Sequence, residues 1–258
     1  MNDEASAPPP SRGFLDEFPL AVSFLTILPV IDRSPASEET VAGSLTWFPL
    51  VGFLLGLALV GEDWILAHIF AQVIRSVLIV ISLTVVTGAV HLDGLADTAD
   101  ALGAGRDRDR ALDILRDSRV GTFGASAIFF DLTLKILALS TLAGHRRYAA
   151  LIVAPMLARW AMPLIAAGLP YLRESGSGSA LLSGSNLGRR ASVVAVFTLV
   201  VMLMLGAMRP IALATAVAIA IVLAMRLFYR RWLGGVTGDL IGACGELVEI
   251  AVLVTMAS

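Results

Sequence analysis

Cysteine is nearly absent from this chain. The single thiol, Cys244, excludes an intramolecular disulfide framework and a multi-cysteine metal site. It lies in a Gly-rich helix start, where a small packing residue is expected rather than a nucleophile. Charge is scarce too. Only 16% of the 258 residues are charged and the formal net charge is −2, so there is no basic surface for a nucleic acid. No internal repeat is evident. Acids precede the first apolar run and no small-residue cleavage pattern follows it, so no signal peptide is expected.

What fills the chain instead is apolar sequence. It is 57% hydrophobic with a mean hydropathy of +0.83, too apolar for an ordinary soluble domain. Several runs reach the roughly 20 residues that a helix needs to cross a bilayer. The expected fold is all-α, a polytopic integral membrane helical bundle of about six to seven transmembrane helices plus re-entrant or interfacial helices. Residues 1–13 are polar and Pro-rich and read as a disordered tail. Residues 14–258 form one transmembrane domain. Within it, 14–31 carries Pro19 and Pro29 and is too short between them to span. Spans are expected at 41–61, 65–90, 121–143, 148–170, 191–208, 211–225 and 234–254. Gly52 and Gly56 form a small-xxx-small pair suited to close helix packing. Arg75, inside the second span, must snorkel, pair or face the bundle interior.

Against this background one stretch stands out, HLDGLADTADALGAGRDRDRALDILRDSRVGTFG at 91–124. It holds seven of the thirteen aspartates and five of the eighteen arginines. Ionisable residues beside a membrane core are costly and mark a functional site. The second span is expected to run directly into it. Asp93, Asp97 and Asp100 stand at i, i+4 and i+7, within roughly 60° of one another on a helix. Three carboxylates on one face repel unless a cation sits between them. Hard oxygen ligands of this kind suit Mg²⁺, with waters and substrate phosphates completing its shell. The alternative is a solvated acidic face paired with Arg106, Arg108 and Arg110.

Residues 107–117 read as a short amphipathic helix. Arg116 and Arg119 can face the same way and contact phosphate, or merely pair with Asp113 and Asp117. Asp131 and Lys135, at i and i+4, are placed for an intrahelical ion pair turned toward the bundle interior or a polar cavity. Near the C-terminus, Asp239, Glu246 and Glu249 share one face of GGVTGDLIGACGELVEIAVLV, with Gly238, Gly242 and Gly245 interleaved. This second acidic cluster is expected to pack beside the first in one polar cavity, with Gly94, Gly242 and Gly245 permitting the approach. Its alternative is a polar stripe packed against other helices.

Arginine is concentrated in the loops on the side of Asp93, which predicts a cytoplasmic location for both clusters. A metal-assisted membrane transferase acting on a diphosphate fits these parts. A cation-coupled transporter also needs intramembrane carboxylates. Against it, the acids gather at one surface and no repeat is visible. A structural membrane subunit is the third class.

HLDGLADTADALGAG followed by RDSRVGTFGA closely resembles the central signature of the cobalamin (5′-phosphate) synthases, the adenosylcobinamide-GDP ribazoletransferases. FLTILPV at 24–30, WFPLVG at 47–52, LARW at 157–160 and GGVTGDLIGACGELVE at 234–249 resemble the family's other blocks, in the same order. The resemblance implies a Mg²⁺-dependent, multi-pass enzyme of the bacterial inner membrane with its active site toward the cytoplasm. Its substrates would be adenosylcobinamide-GDP and α-ribazole, or α-ribazole 5′-phosphate. It further implies that Asp93, Asp97 and Asp100 hold the metal on the diphosphate. Asp239, Glu246 and Glu249 would hold a second metal or orient the attacking hydroxyl. Arg116 and Arg119 would take phosphate charge. His91 would be a proton acceptor or a packing residue at a helix end.

Overall fold

The computed structural model describes residues 16–29, 38–117, 119–173 and 209–258. The tail at 1–13 and the span expected at 191–208 lie outside the described residues. Ten α-helices are described: α1 Glu17–Leu25, α2 Glu38–Ser44, α3 Phe48–Leu66, α4 Gln72–Val86, α5 Val90–Leu102, α6 Arg108–Ile114, α7 Thr122–Thr141, α8 Gly144–Ala166, α9 Arg209–Trp232 and α10 Gly238–Ala257. A 3₁₀ turn, Leu45–Trp47, joins α2 to α3. Five runs are long and apolar enough to cross a membrane: Glu39–Leu66, Thr122–Thr141, Gly144–Ala166, Arg209–Trp232 and Gly238–Ala257. A sixth follows if α4 and α5 count as one broken span. The protein is a polytopic helical membrane protein, as its composition predicts.

The bundle is built around α8, buried along nearly its whole length. Its alanines, Ala150, Ala154, Ala158 and Ala161, let neighbours approach closely. Gly52 and Gly56 of α3 use that space. A Cβ at Gly56 would lie 2.6 Å from the Ile152 Cα, and one at Gly52 would meet the Pro155 backbone. Pro155 lacks an N–H and so cannot bond the Leu151 carbonyl one turn back. That carbonyl is turned onto Gly56. At the end of the bundle away from α5, Arg147 grips Asp63 through Nε (3.0 Å) and Nη2 (2.7 Å), and Arg75 joins them at 3.2 Å. Arg75 therefore pairs, one of its three expected fates.

The second span does not continue straight into the acidic stretch. α4 and α5 meet at 89°. The corner is made by Gly88 (φ 62°) and Ala89 (φ 55°), two consecutive left-handed residues. Glycine accepts that conformation freely, whereas alanine does not. The Ala89 N–H bonds the Thr84 carbonyl at 2.9 Å, and the Ile27 N–H reaches across to the Val86 carbonyl at 2.8 Å. These bonds hold a turn that no proline marks in the sequence.

Candidate functional site

Because of this corner, α5 lies across the end of α10. Gly94 sits on the backbone of Asp239, where a Cβ would be 2.7 Å from the Asp239 carbonyl oxygen. One turn back, His91 packs on Gly242, where a Cβ would be 3.2 Å from the His91 Cα. The two helices that carry the acidic clusters are therefore neighbours, through Gly94 and Gly242 as expected, whereas Gly245 faces Met162 and Ala158 of α8 instead. The register pairs 94 with 239 and 91 with 242, so the helices run in opposite directions. Asp93 and Asp97 project near Asp239, whereas Glu246 and Glu249 lie deeper. From Asp239 to Glu249 is roughly 15 Å of helix axis.

The shallow group is polar and open. Asp93 is exposed and Asp97 half-buried. Neither makes a hydrogen bond or ion pair among the described residues. The charges acting on Asp97 are those of Asp93, Asp239, Arg173 and Asp100. Asp239 accepts from Arg173 Nη2 at 2.6 Å and from the Thr237 hydroxyl at 3.3 Å. The same Thr237 hydroxyl caps α10 by accepting from the Leu240 N–H. Arg173 is held from behind as well. The Leu172 N–H bonds the Val236 carbonyl and the Val236 N–H bonds the Pro170 carbonyl, both at 2.9 Å. This backbone clasp ties the chain after α8 to the chain before α10. Beside it, the Tyr171 hydroxyl lies close to Gly238, and burial pushes that hydroxyl above the ordinary tyrosine range.

Asp100, the third member of the expected triad, is engaged elsewhere. Its Oδ2 accepts from the Gly121 N–H at 2.6 Å and its Oδ1 from the Gly124 N–H at 2.9 Å. It thus satisfies orphan N–H groups at the start of α7, the service a capping carboxylate performs. The glycines are required there, because a Cβ at Gly121 would overlap the carboxylate.

The deep group is closed. Lys135 bonds Glu246 and lies 3.0 Å from Glu249 and 3.1 Å from Asp131. Arg159 bonds the other oxygen of Glu249. All five side chains are buried. The intrahelical Asp131–Lys135 pair and its inward orientation agree with the spacing. The residues expected as second-metal ligands, Glu246 and Glu249, instead face cations from α7 and α8. Together with Thr84, Thr87 and Leu92 this network lines a small cavity. His91 is buried and its Nδ1 has no hydrogen-bond partner among the described residues. The charges acting on it are those of the deep group, Arg159, Glu249 and Lys135.

The arginines singled out in the sequence are in solvent. Arg116 is 3.5 Å from Asp113, both largely exposed. Arg119 forks onto Asp117, at 2.7 Å for the closer contact, and its hydrogen bonds hold the Asp117 carboxyl below the usual carboxylate range. The cation that does adjoin the acids, Arg173, was missed. It is 66 residues from Asp239, and only the arginine bias of that loop pointed toward it.

Among the described residues, no three His, Cys, Asp or Glu side chains are grouped so as to hold a metal by themselves. The donors present nevertheless suit Mg²⁺, which is commonly held by one or two carboxylates, with waters and substrate phosphates completing the shell. Asp93 and Asp97 are two such carboxylates.

The model of the family described as cobalamin-5-phosphate synthase matches residues 17–257. The chain is 37% identical to the adenosylcobinamide-GDP ribazoletransferase of Geotalea daltonii, over 93% of this chain and 96% of that one. It is 41% identical to the enzyme of that name from Ectopseudomonas mendocina, over 92% and 97%. It is 35% identical to the one from Bradyrhizobium diazoefficiens, over 96% and 95%. No solved structure matches the chain. The chain belongs to the cobalamin-5-phosphate synthase family.

Proposed function

We propose that the protein is an adenosylcobinamide-GDP ribazoletransferase working at the cytoplasmic face of the bacterial inner membrane. The observation that carries this reading is the open acid group. Asp93 and Asp97 stand unpaired at a membrane-helix end, against Asp239 and Arg173. The relatives' names point to adenosylcobinamide-GDP and a ribazole as substrates, and the ribazole of this reading is α-ribazole or its 5′-phosphate. A free ribose hydroxyl of the ribazole, one other than the 5′ position that can carry the phosphate, attacks the phosphorus that bears the cobinamide. The bond from that phosphorus to the oxygen bridging to GMP breaks, and GMP leaves with that oxygen. The hydroxyl proton passes to a carboxylate of the group or to water. Products are adenosylcobalamin, or its 5′-phosphate, and GMP.

Asp93 and Asp97 would hold Mg²⁺, which offsets phosphate charge when bound. Asp239, fixed by Arg173 and the Thr237 cap, faces the same space and is placed to orient the hydroxyl or accept its proton. Asp100 ties α5 to the start of α7 through the Gly121 and Gly124 N–H groups.

The test is direct. Protein purified in detergent, given both substrates and Mg²⁺, should release GMP with no ion gradient. Substrate accumulation in proteoliposomes without GMP would instead support a cation-coupled transporter.

A further inference from the structure

We propose that Arg173 is the phosphate-binding cation of this site, using the donors that Asp239 leaves free to hold the diphosphate of the substrate. The proposal rests on the reading above. Its first support is position. Arg173 is the one cation bonded to the acid group among the described residues, and it acts on both Asp97 and Asp239. Arg116 and Arg119 are spent on Asp113 and Asp117 in solvent.

The second support is the pattern of its bonds. A single nitrogen, Nη2, makes both contacts, to Asp239 Oδ2 and to the Leu115 carbonyl, each at 2.6 Å. Nε and Nη1 donate to nothing among the described residues, and the side chain is 32% exposed. A guanidinium has five N–H donors in a planar fork that matches a phosphate. Here the fork is pinned at one tip and open along the rest.

The third support is that the pair with Asp239 is not what holds this region together. The backbone clasp between 170–172 and 236, and the Thr237 cap, fix both residues before their side chains meet. An ion pair that is dispensable for the fold, partly exposed and beside unpaired carboxylates is suited to ligand binding. The charge balance agrees. Three carboxylates and one arginine repel a bare diphosphate, so affinity requires the metal and a directional donor together.

Inorganic pyrophosphate with Mg²⁺ serves as the probe, read by the shift it produces in thermal unfolding of the detergent-purified protein. KM for adenosylcobinamide-GDP is measured alongside. Wild type and R110Q, an exposed arginine of α6, should be stabilised equally. R173Q should bind pyrophosphate about 10- to 100-fold more weakly, the scale of a charged hydrogen bond, and its KM should rise while it unfolds near the wild-type temperature without ligand. R173K, which keeps the charge but loses the fork, should recover only part of the shift. If R173Q does not fold, R173K alone decides. An undiminished pyrophosphate shift in the folded variants, or none in wild type, overturns the proposal. GMP release by wild type is scored separately, so failure of the transferase reading is distinguishable from failure of this one.

Discussion

Replacing Asp97 by Asn removes one charge and almost no volume from a half-buried position without hydrogen-bond partners among the described residues. The Asp97→Asn protein should therefore insert and unfold like wild type, yet release GMP at least ~10²-fold more slowly, the scale of losing a charge-stabilising group. Near-normal turnover would remove Asp97 from the site. Asp100 should behave in the opposite way. Asp100→Ala leaves the Gly121 and Gly124 N–H groups without their acceptor, which costs about 1–2 kcal/mol of stability. A lowered Tm, with activity reduced in proportion to the folded fraction, is the expected result. Helical spacing places Asp93, Asp97 and Asp100 on one face but is silent about partners that arrive 21 and 24 residues later. That is why one aspartate of an apparent triad is a cap. Charge cost was the better guide. Asp131, Lys135 and Arg75 are all paired because unpaired charge at such depth is expensive.

The contact between α5 and α10 is set by two glycines of unequal tightness. A Cβ at Gly94 would press on Asp239 backbone at 2.7 Å, whereas one at Gly242 would meet the His91 Cα at 3.2 Å. Gly94→Ala should therefore cost more than Gly242→Ala, about 1–3 kcal/mol as an overpacked contact. It should also depress kcat by displacing Asp93 and Asp97 from Asp239. Comparing the two variants by thermal unfolding and GMP release checks that order, and equal effects would argue against it. Interleaved glycines made this packing legible in the sequence. The right-angle corner before it was not. Ala89 carries no turn signal, and its left-handed conformation is imposed by bonds to Thr84 and by the Ile27–Val86 tether. Reading 65–90 as one straight span followed from apolar content alone, which does not register a change of direction.

At the scale of the molecule, two charged layers share α10. The shallow one is open and short of positive charge, and the deep one is closed by Lys135 and Arg159. Excess chelator should abolish GMP release and added Mg²⁺ should restore it, with unfolding temperature largely unchanged, because the deep layer needs no metal. Loss of the fold in chelator would instead show a structural cation. The deep layer also bears on how the protein is made. Lys135 is the only lysine in the chain, and it enters with Asp131 one turn away on the same helix. Arg159 follows on α8. Glu246 and Glu249 come later, on α10, and meet cations already in place. Until α10 arrives, the half-built bundle holds an arginine without its carboxylate. The arrival of α10 thus closes a circuit of charge, and a chain stopped short of residue 246 is marked as unfinished by its own buried arginine.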